Sequence, residues 1–251
     1  DSGDDPDVTN GCSIIARIEL VNADSSFAGK GHTPSILFRG GEGVGTVTLP
    51  GLGLEIGSPA INATPRRLMT EELTKVLQEN GLAGLTKEVI VTISVPGGQA
   101  LASRTFNPKL GIIGGISIIG TSGIVRPFSN EAFIASIRKE AEVAKAIGCS
   151  RLVINSGAKS EHFLKAYLTG KLGGELPPQM FIHYGNFIGE TLKIASELHF
   201  EEVIMGIMIG KAVKLAEGAL DTHSKKVVMN KSFLKEVAGQ AGCPPETIIR
   251  I

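Results

Sequence analysis

The sequence predicts an α+β part followed by an α/β part with a mostly parallel sheet and helices on both faces, divided as residues 1–107 and 108–251. Three observations carry this expectation. Strand-like runs dominate the first hundred residues, crossed by one long amphipathic helix. After residue 108, short apolar runs alternate with stretches of helical spacing, the pattern of β-α-β units. The 32 glycines sit between these runs, as in turns and ligand loops, rather than in a low-complexity tract.

In the first part, Ile14-Ile15-Ala16-Arg17-Ile18-Glu19-Leu20-Val21 reads as a strand, and Ser35-Ile36-Leu37-Phe38-Arg39 as a second. The glycine loop Gly40–Gly45 leads into a short strand, Thr46-Val47-Thr48-Leu49. Thr64 is expected to cap a helix with Pro65 at its first position, where a missing N–H costs nothing. Leu68, Met69, Leu73, Val76 and Leu77 form its apolar stripe, and Gly81 ends it. Val89–Val95 is a β-rich run stopped by Pro96-Gly97-Gly98.

In the second part, Ile112–Ile119 is expected to open the parallel sheet. The helix after Ser129 carries Phe133, Ile134, Ile137, Ala141, Ala144 and Ile147 at helical spacing. Arg151–Asn155, Met180–Tyr184 and Glu202–Met208 supply further strands, with a short helix between the first two around His162 to Tyr167. Asn186 is expected to cap the next helix, and Lys211–Ala219 to form another. A last helix near Ser232–Gln240 leads into Thr247–Ile251.

Composition narrows the function classes. Hydrophobic residues make up 42% and charged residues 20%, enough apolar surface for a core. No apolar run approaches the roughly 18 residues that span a bilayer. The chain opens on Asp1 rather than Met, and a leading segment is expected to precede it. Cys12, Cys149 and Cys243 are too few and too dispersed for a disulfide framework or zinc knuckle, so they read as reduced thiols of a cytoplasmic protein. A net charge of zero gives no footprint for nucleic acid. Residues 1–60 hold eight acids and three bases, so the other 17 acids and 22 bases leave the remainder about five charges positive. That excess suits an anionic ligand, or is ordinary surface scatter.

Ligands of such a sheet bind beyond the carboxyl ends of its strands. Four segments therefore stand out: Gly120-Thr121-Ser122-Gly123-Ile124-Val125-Arg126-Pro127, Asn155-Ser156-Gly157-Ala158-Lys159, His183-Tyr184-Gly185-Asn186, and Gly210-Lys211 with Asp221-Thr222-His223-Ser224. Each taken singly reads as ordinary turn and cap chemistry. Four in succession at one edge point to a cleft. No P-loop, G-x-S-x-G elbow or H-E-x-x-H motif is present, and the acidic opening Asp4-Asp5-Pro6-Asp7 lacks the Ca²⁺-loop spacing, so no protein-held metal is expected.

Several runs together resemble the CbiD family of cobalamin-biosynthesis methyltransferases. They are Asp1–Thr9, Gly41–Gly45, Gly57–Asn62, Ser94–Gly98, the long run Thr105–Pro127, Asn186–Glu190, Gly210-Lys211 and Thr222-His223-Ser224, in family order along nearly the whole chain. Two departures stand out. A Thr/Gly/Ala-rich segment that precedes the Asp-Asp-Pro-Asp motif in the family is missing here. The family often has a His two residues before its Gly-Lys pair, where this chain has Met208, so no catalytic His carries over to that position.

The resemblance implies methylation of carbon 1 of cobalt-precorrin-5B to cobalt-precorrin-6A, with S-adenosylmethionine as donor and cobalt present only within the substrate. On that reading the donor is expected at Gly114, Gly115, Gly120, Thr121, Ser122 and Gly123. Arg126, Lys159 and Lys211 are expected to pair with the acetate and propionate arms of the tetrapyrrole, with Asn155, Asn186, Thr222 and Ser224 as further polar contacts. His223 or His183 is the expected general base. The rivals are a nicotinamide-dependent oxidoreductase, whose G-x-G-x-x-G fingerprint fits these glycines poorly, and a non-catalytic tetrapyrrole-binding protein. The oligomeric state stays open, a homo-oligomer included.

Overall fold

A computed structural model of the chain describes residues 8–22, 33–120, 129–172 and 176–250. It forms two compact units, Asp1–Phe133 and Ile134–Ile251.

In the first unit, β1 (Ile15–Asn22), β2 (Ser35–Gly40), β3 (Thr46–Val47), α1 (Ala63–Glu79), β4 (Thr86–Ser94), α2 (Gly98–Ala102) and β5 (Ile112–Ile113) follow in order. β4 is the centre of a three-stranded mixed sheet, antiparallel to β1 and parallel to β2. Its alternate residues Val89, Val91 and Ile93 are buried with Val95, Ile61 and Leu77. Met69 and Leu73 of α1 pack against that cluster, as the expected apolar stripe requires.

Two local expectations are corrected here. The residue at the start of α1 is Asn62, in extended conformation, and Thr64 and Pro65 are the second and third residues of the helix. Asn62 makes no side-chain cap bond; instead Arg66 folds back, its Nε donating to the Ile61 carbonyl at 2.7 Å. The Ile112–Ile119 segment does not open the parallel sheet. Ile112 and Ile113 pair antiparallel with Val47 and Thr46, and Ile116 and Ile118 bridge to Val44 and Ile61. Its apolar residues find their partners in the first unit, where Ile112 packs with Val47 and Ala60.

The second unit contains a three-stranded parallel sheet. After α3 (Asn130–Ala146) come β6 (Arg151–Asn155), α4 (Ala158–Leu172), β7 (Phe181–His183), α5 (Ile188–Glu197), β8 (Glu202–Gly206), α6 (Ile209–Ala216), α7 (Lys231–Gln240) and α8 (Pro245–Arg250). The strand order is β7-β6-β8, with β6 central and both pairings parallel. Leu152, Val153 and Ile154 of β6 are fully buried, the near-continuous apolar run of a covered parallel strand. Leu164 and Leu168 of α4 pack with Val153 and Phe181. Gly206 has no side chain because one would meet Leu164 Cδ1 at 2.3 Å. Asn186 does not cap α5, which begins after Phe187 without a side-chain cap. Asn230 does cap α7, accepting from the Phe233 N–H at 3.1 Å.

Candidate functional site

The strand order places three residues side by side at the carboxyl edge of the second unit's sheet. Asn155 ends β6 opposite His183 of β7 and Gly206 of β8. From β6 the chain crosses to one neighbour and then to the other, so the loops diverge at this edge, as at the ligand crevice of open α/β sheets.

Asn155 is fully buried and its amide is committed at both ends. Nδ2 donates to the Ile182 carbonyl at 3.2 Å, and Oδ1 accepts from the Gly157 N–H at 3.0 Å. It thereby holds the β6 turn against β7. Lys159, in the first turn of α4, is exposed.

His183 lies 2.6 Å through Nε2 from Glu161 Oε2, and Glu161 Oε1 lies 2.5 Å from Lys165 Nζ. An ionised carboxylate only accepts, so Nε2 is the donor of this pair, and in the neutral imidazole Nδ1 is then the nitrogen with the lone pair. Glu161 thus orients His183 in the way a carboxylate orients a catalytic imidazole. His223 is built differently: its Nδ1 already accepts from the Lys225 N–H at 3.1 Å.

Around the neighbouring loop, Tyr184 is fully buried and its hydroxyl donates to the Gly206 carbonyl at 3.1 Å. Burial pushes its phenol up in pKa, with Ser156 opposing weakly. Lys211 reaches over the Tyr184 ring, 5.4 Å from its centroid, and donates to the Gly185 carbonyl. Lys214, buried, donates to the Thr222 carbonyl at 3.2 Å. The Thr222 N–H in turn donates to the Asn186 carbonyl at 3.1 Å. Its hydroxyl is buried with no partner among the described residues. Ser224 lines a cavity of about 400 Å³ together with Lys211 and Lys214.

So Asn155, His183, Asn186, Lys211, Thr222, His223 and Ser224 belong to connected loops of one unit. Tyr184, within the expected His183–Asn186 segment, joins them, and so do Glu161 and Lys214, which the residue pattern did not single out. Lys214 follows Lys211 by three residues, a same-face spacing visible in the sequence. Glu161 precedes His183 by 22 residues, and no local pattern announces that pairing.

The donor candidates fall in the first unit. Gly114 and Gly120 have φ of +83° and +139°, and nothing lies within 4 Å of where a Cβ would stand. Backbone there faces open space. Gly115 is different: a Cβ on it would meet the Gly43 carbonyl oxygen at 2.3 Å, so packing alone demands glycine. Thr121, Ser122, Gly123 and Arg126, like the acidic opening Asp4–Asp7, lie outside the described residues.

A family model, CbiD, matches residues 1–127. The chain belongs to the CbiD family. Among CbiD relatives, the cobalt-precorrin-5B C(1)-methyltransferase of Prosthecochloris aestuarii is 44% identical over 243 residues, covering 96% of this chain and 62% of that protein. The enzyme of the same name from a Geobacillus species is 43% identical, covering 100% of this chain and 64% of its own. The chain thus spans about three fifths of the length of these relatives. A crystal structure of a cobalamin biosynthesis protein from Archaeoglobus fulgidus is 25% identical over 96% of this chain and 65% of that one, with a TM-score of 0.35. Among the described residues, no helix is long and apolar enough to cross a membrane, and no group of three or more His, Cys, Asp or Glu stands where it could hold a metal ion.

Proposed function

We propose that this chain acts in the methylation of carbon 1 of cobalt-precorrin-5B, giving cobalt-precorrin-6A. The observation that carries the reading is 44% identity, over 96% of the chain, to a relative bearing that name. The strand-end loops support it with exposed Lys159, half-buried Lys211 and a carboxylate-oriented histidine. The cytoplasm is the proposed compartment.

S-adenosylmethionine supplies an already electrophilic methyl group. The ring carbon provides the electron pair of the new carbon–carbon bond, the methyl–sulfur bond breaks, and sulfur keeps its pair. The protein's contribution is then to hold the two carbons roughly 3–3.5 Å apart in line and to exclude water. His183 is our choice of base for a ring proton, since its Nδ1 keeps a free lone pair while Glu161 holds Nε2. His223 is the second choice, because Nδ1 already accepts a backbone N–H.

We place the donor at Gly114 and Gly120 with the following Thr121, Ser122 and Gly123, and leave Gly115 to packing against the Gly43 backbone. Lys211, Lys159 and Arg126 answer the substrate's carboxylates, with Asn155, Asn186, Thr222 and Ser224 beside them. We place α4 and α5 on opposite faces of the sheet, the arrangement that right-handed crossovers between parallel strands ordered β7-β6-β8 favour.

The test is incubation with S-adenosylmethionine and cobalt-precorrin-5B without oxygen, followed by mass spectrometry. The reading expects a product heavier by one methyl group in place of hydrogen, formed together with S-adenosylhomocysteine. Corrinoid binding without a mass change would instead favour a carrier. Reduction dependent on a nicotinamide cofactor would favour an oxidoreductase.

A further inference from the structure

β1 is an outer strand of the first unit's mixed sheet, and among the described residues no strand pairs with its other edge. Ile18 and Leu20 are each 44% exposed there, although they stand opposite buried Val91 and Val89 of β4. On the other face, Ile15 is 51% and Val21 38% exposed, on either side of Arg17 and Glu19. Proteins usually blunt such an edge with lysine, proline or a bulge along its length. β1 contains neither Lys nor Pro, and its register with β4 stays regular from Ile15 to Val21. An exposed apolar edge of this length is a template for another strand.

The charges on β1 say which strand fits. Facing residues of an antiparallel pair turn their N–H and C=O groups alike, and these alternate along a strand. Two copies of β1 related by a two-fold therefore meet with the axis through a residue, never between two. Centred on Arg17 or on Glu19, that residue faces its own like charge. Centred on Ala16, Arg17 faces Ile15 of the second copy; centred on Leu20, Glu19 faces Val21 of the second copy. Centred on Ile18, Arg17 faces Glu19 of the second copy, and symmetry repeats the pair. The same register sets Ile15 against Val21 and Ala16 against Leu20, apolar against apolar on both faces. Within one chain Arg17 Nε lies 3.2 Å from Glu19 Oε1, with the arginine side chain 74% exposed, so both charges stand on one accessible face. β2, the sheet's opposite edge, carries Arg39 and no acid, so a copy of itself offers it no such complement.

We propose that a second copy of this chain pairs with β1 edge to edge, antiparallel, across a two-fold axis at Ile18. The two three-stranded sheets then run on as one sheet of six strands, with the two copies of β1 at its centre. Main-chain hydrogen bonds supply the attraction, and the two Arg17–Glu19 pairs fix the register. The contact is isologous, so it closes at two chains and leaves neither β1 edge exposed. It uses no residue assigned to donor or substrate and stands apart from the proposed methyl transfer.

Sedimentation equilibrium of the whole chain at rising concentration is the test, with Arg17→Glu and Glu19→Arg as exposed substitutions that the fold should tolerate. The unaltered chain should be a dimer in equilibrium with monomer. Each substitution turns both facing pairs from attraction to repulsion and should weaken self-association by about tenfold or more. Mixed in equal amounts, the two variants should associate with each other about as tightly as the unaltered chain does with itself. One edge then holds two acids and the other two bases. Within each variant chain positions 17 and 19 stay like-charged, so only pairing across the axis accounts for that recovery. An unaltered chain that stays monomeric, with the edge left to some other partner, overturns the proposal. So do assembly beyond two chains, variants that dimerise unchanged, or a mixture that stays monomeric. Should the charge variants not fold, cross-linking decides. Under mild oxidation Ile18→Cys should give a disulfide-linked dimer above the background of the three native cysteines, because its two Cα atoms face at about 4.5–5.5 Å. Leu20→Cys, which faces Ala16 of the second copy, should not, and equal cross-linking of the two overturns the register.

Discussion

Replacing Gly115 by alanine separates a packing glycine from a ligand glycine. A Cβ there would meet Gly43 O at 2.3 Å, Gly43 C at 2.4 Å and Val44 C at 2.6 Å, all backbone atoms. Reaching even 3.0 Å requires the two segments to part by about 0.7 Å. They are tied by the Ile116 N–H to the Gly43 carbonyl and the Gly45 N–H to the Ile116 carbonyl, each 2.9 Å. Parting them weakens two hydrogen bonds of about 1 kcal/mol net each, on top of about 1–3 kcal/mol for overpacking. Gly115→Ala should therefore destabilise the chain by roughly 3 kcal/mol or more. Gly114→Ala meets open space but keeps a left-handed φ of +83°, which costs about 1–2 kcal/mol. Gly84→Ala has neither clash nor positive φ and should be near neutral. Urea unfolding with an unchanged slope gives the three values. A Gly115→Ala chain as stable as the unaltered one, yet unable to bind S-adenosylmethionine, would refute the packing argument and make Gly115 a donor contact.

Three further outcomes follow. Glu161→Gln should lower the methyl-transfer rate about 10-fold or more without unfolding the chain, since a positioned general base contributes about 10²–10⁴-fold and Glu161 holds its imidazole, and a rate within twofold of normal would remove Glu161 from the mechanism. For Asp221, burial alone would raise the carboxyl, but the Lys226 ammonium and the His223 N–H outweigh it and hold the group below its ordinary range. Its folded pKa is depressed, so the stability it contributes is present above the unfolded value near 3.9 and lost as pH falls through the lower folded value. Because Lys226 is exposed, the difference between Asp221→Asn and the unaltered chain at neutral pH should stay below about 1 kcal/mol and vanish in strong acid, as thermal melts across pH would record. Cys149 is buried and burial pushes its thiol up, so it should react with an aromatic disulfide reagent far more slowly than half-buried Cys12 and Cys243; three equal rates would contradict its burial.

The sequence by itself determined most elements and the family. Leu152-Val153-Ile154 announces a covered strand, and the spacing of Met69, Leu73 and Leu77 announces the helix α1, because apolar periodicity is a local property of the chain. The strand-end loops around Asn155, His183 and Gly210 were legible for the same reason: carboxyl ends of parallel strands are where such folds bind. Tertiary structure alone decided which sheet received Ile112 and Ile113, since an apolar pair fits any partner strand of suitable register. It also decided that Gly115 is held by the Gly43 backbone, that Glu161 meets His183 across 22 residues, and that Lys214 is buried against the Thr222 carbonyl. Each is a contact between distant segments, and its energy depends on geometry that no single stretch of sequence contains.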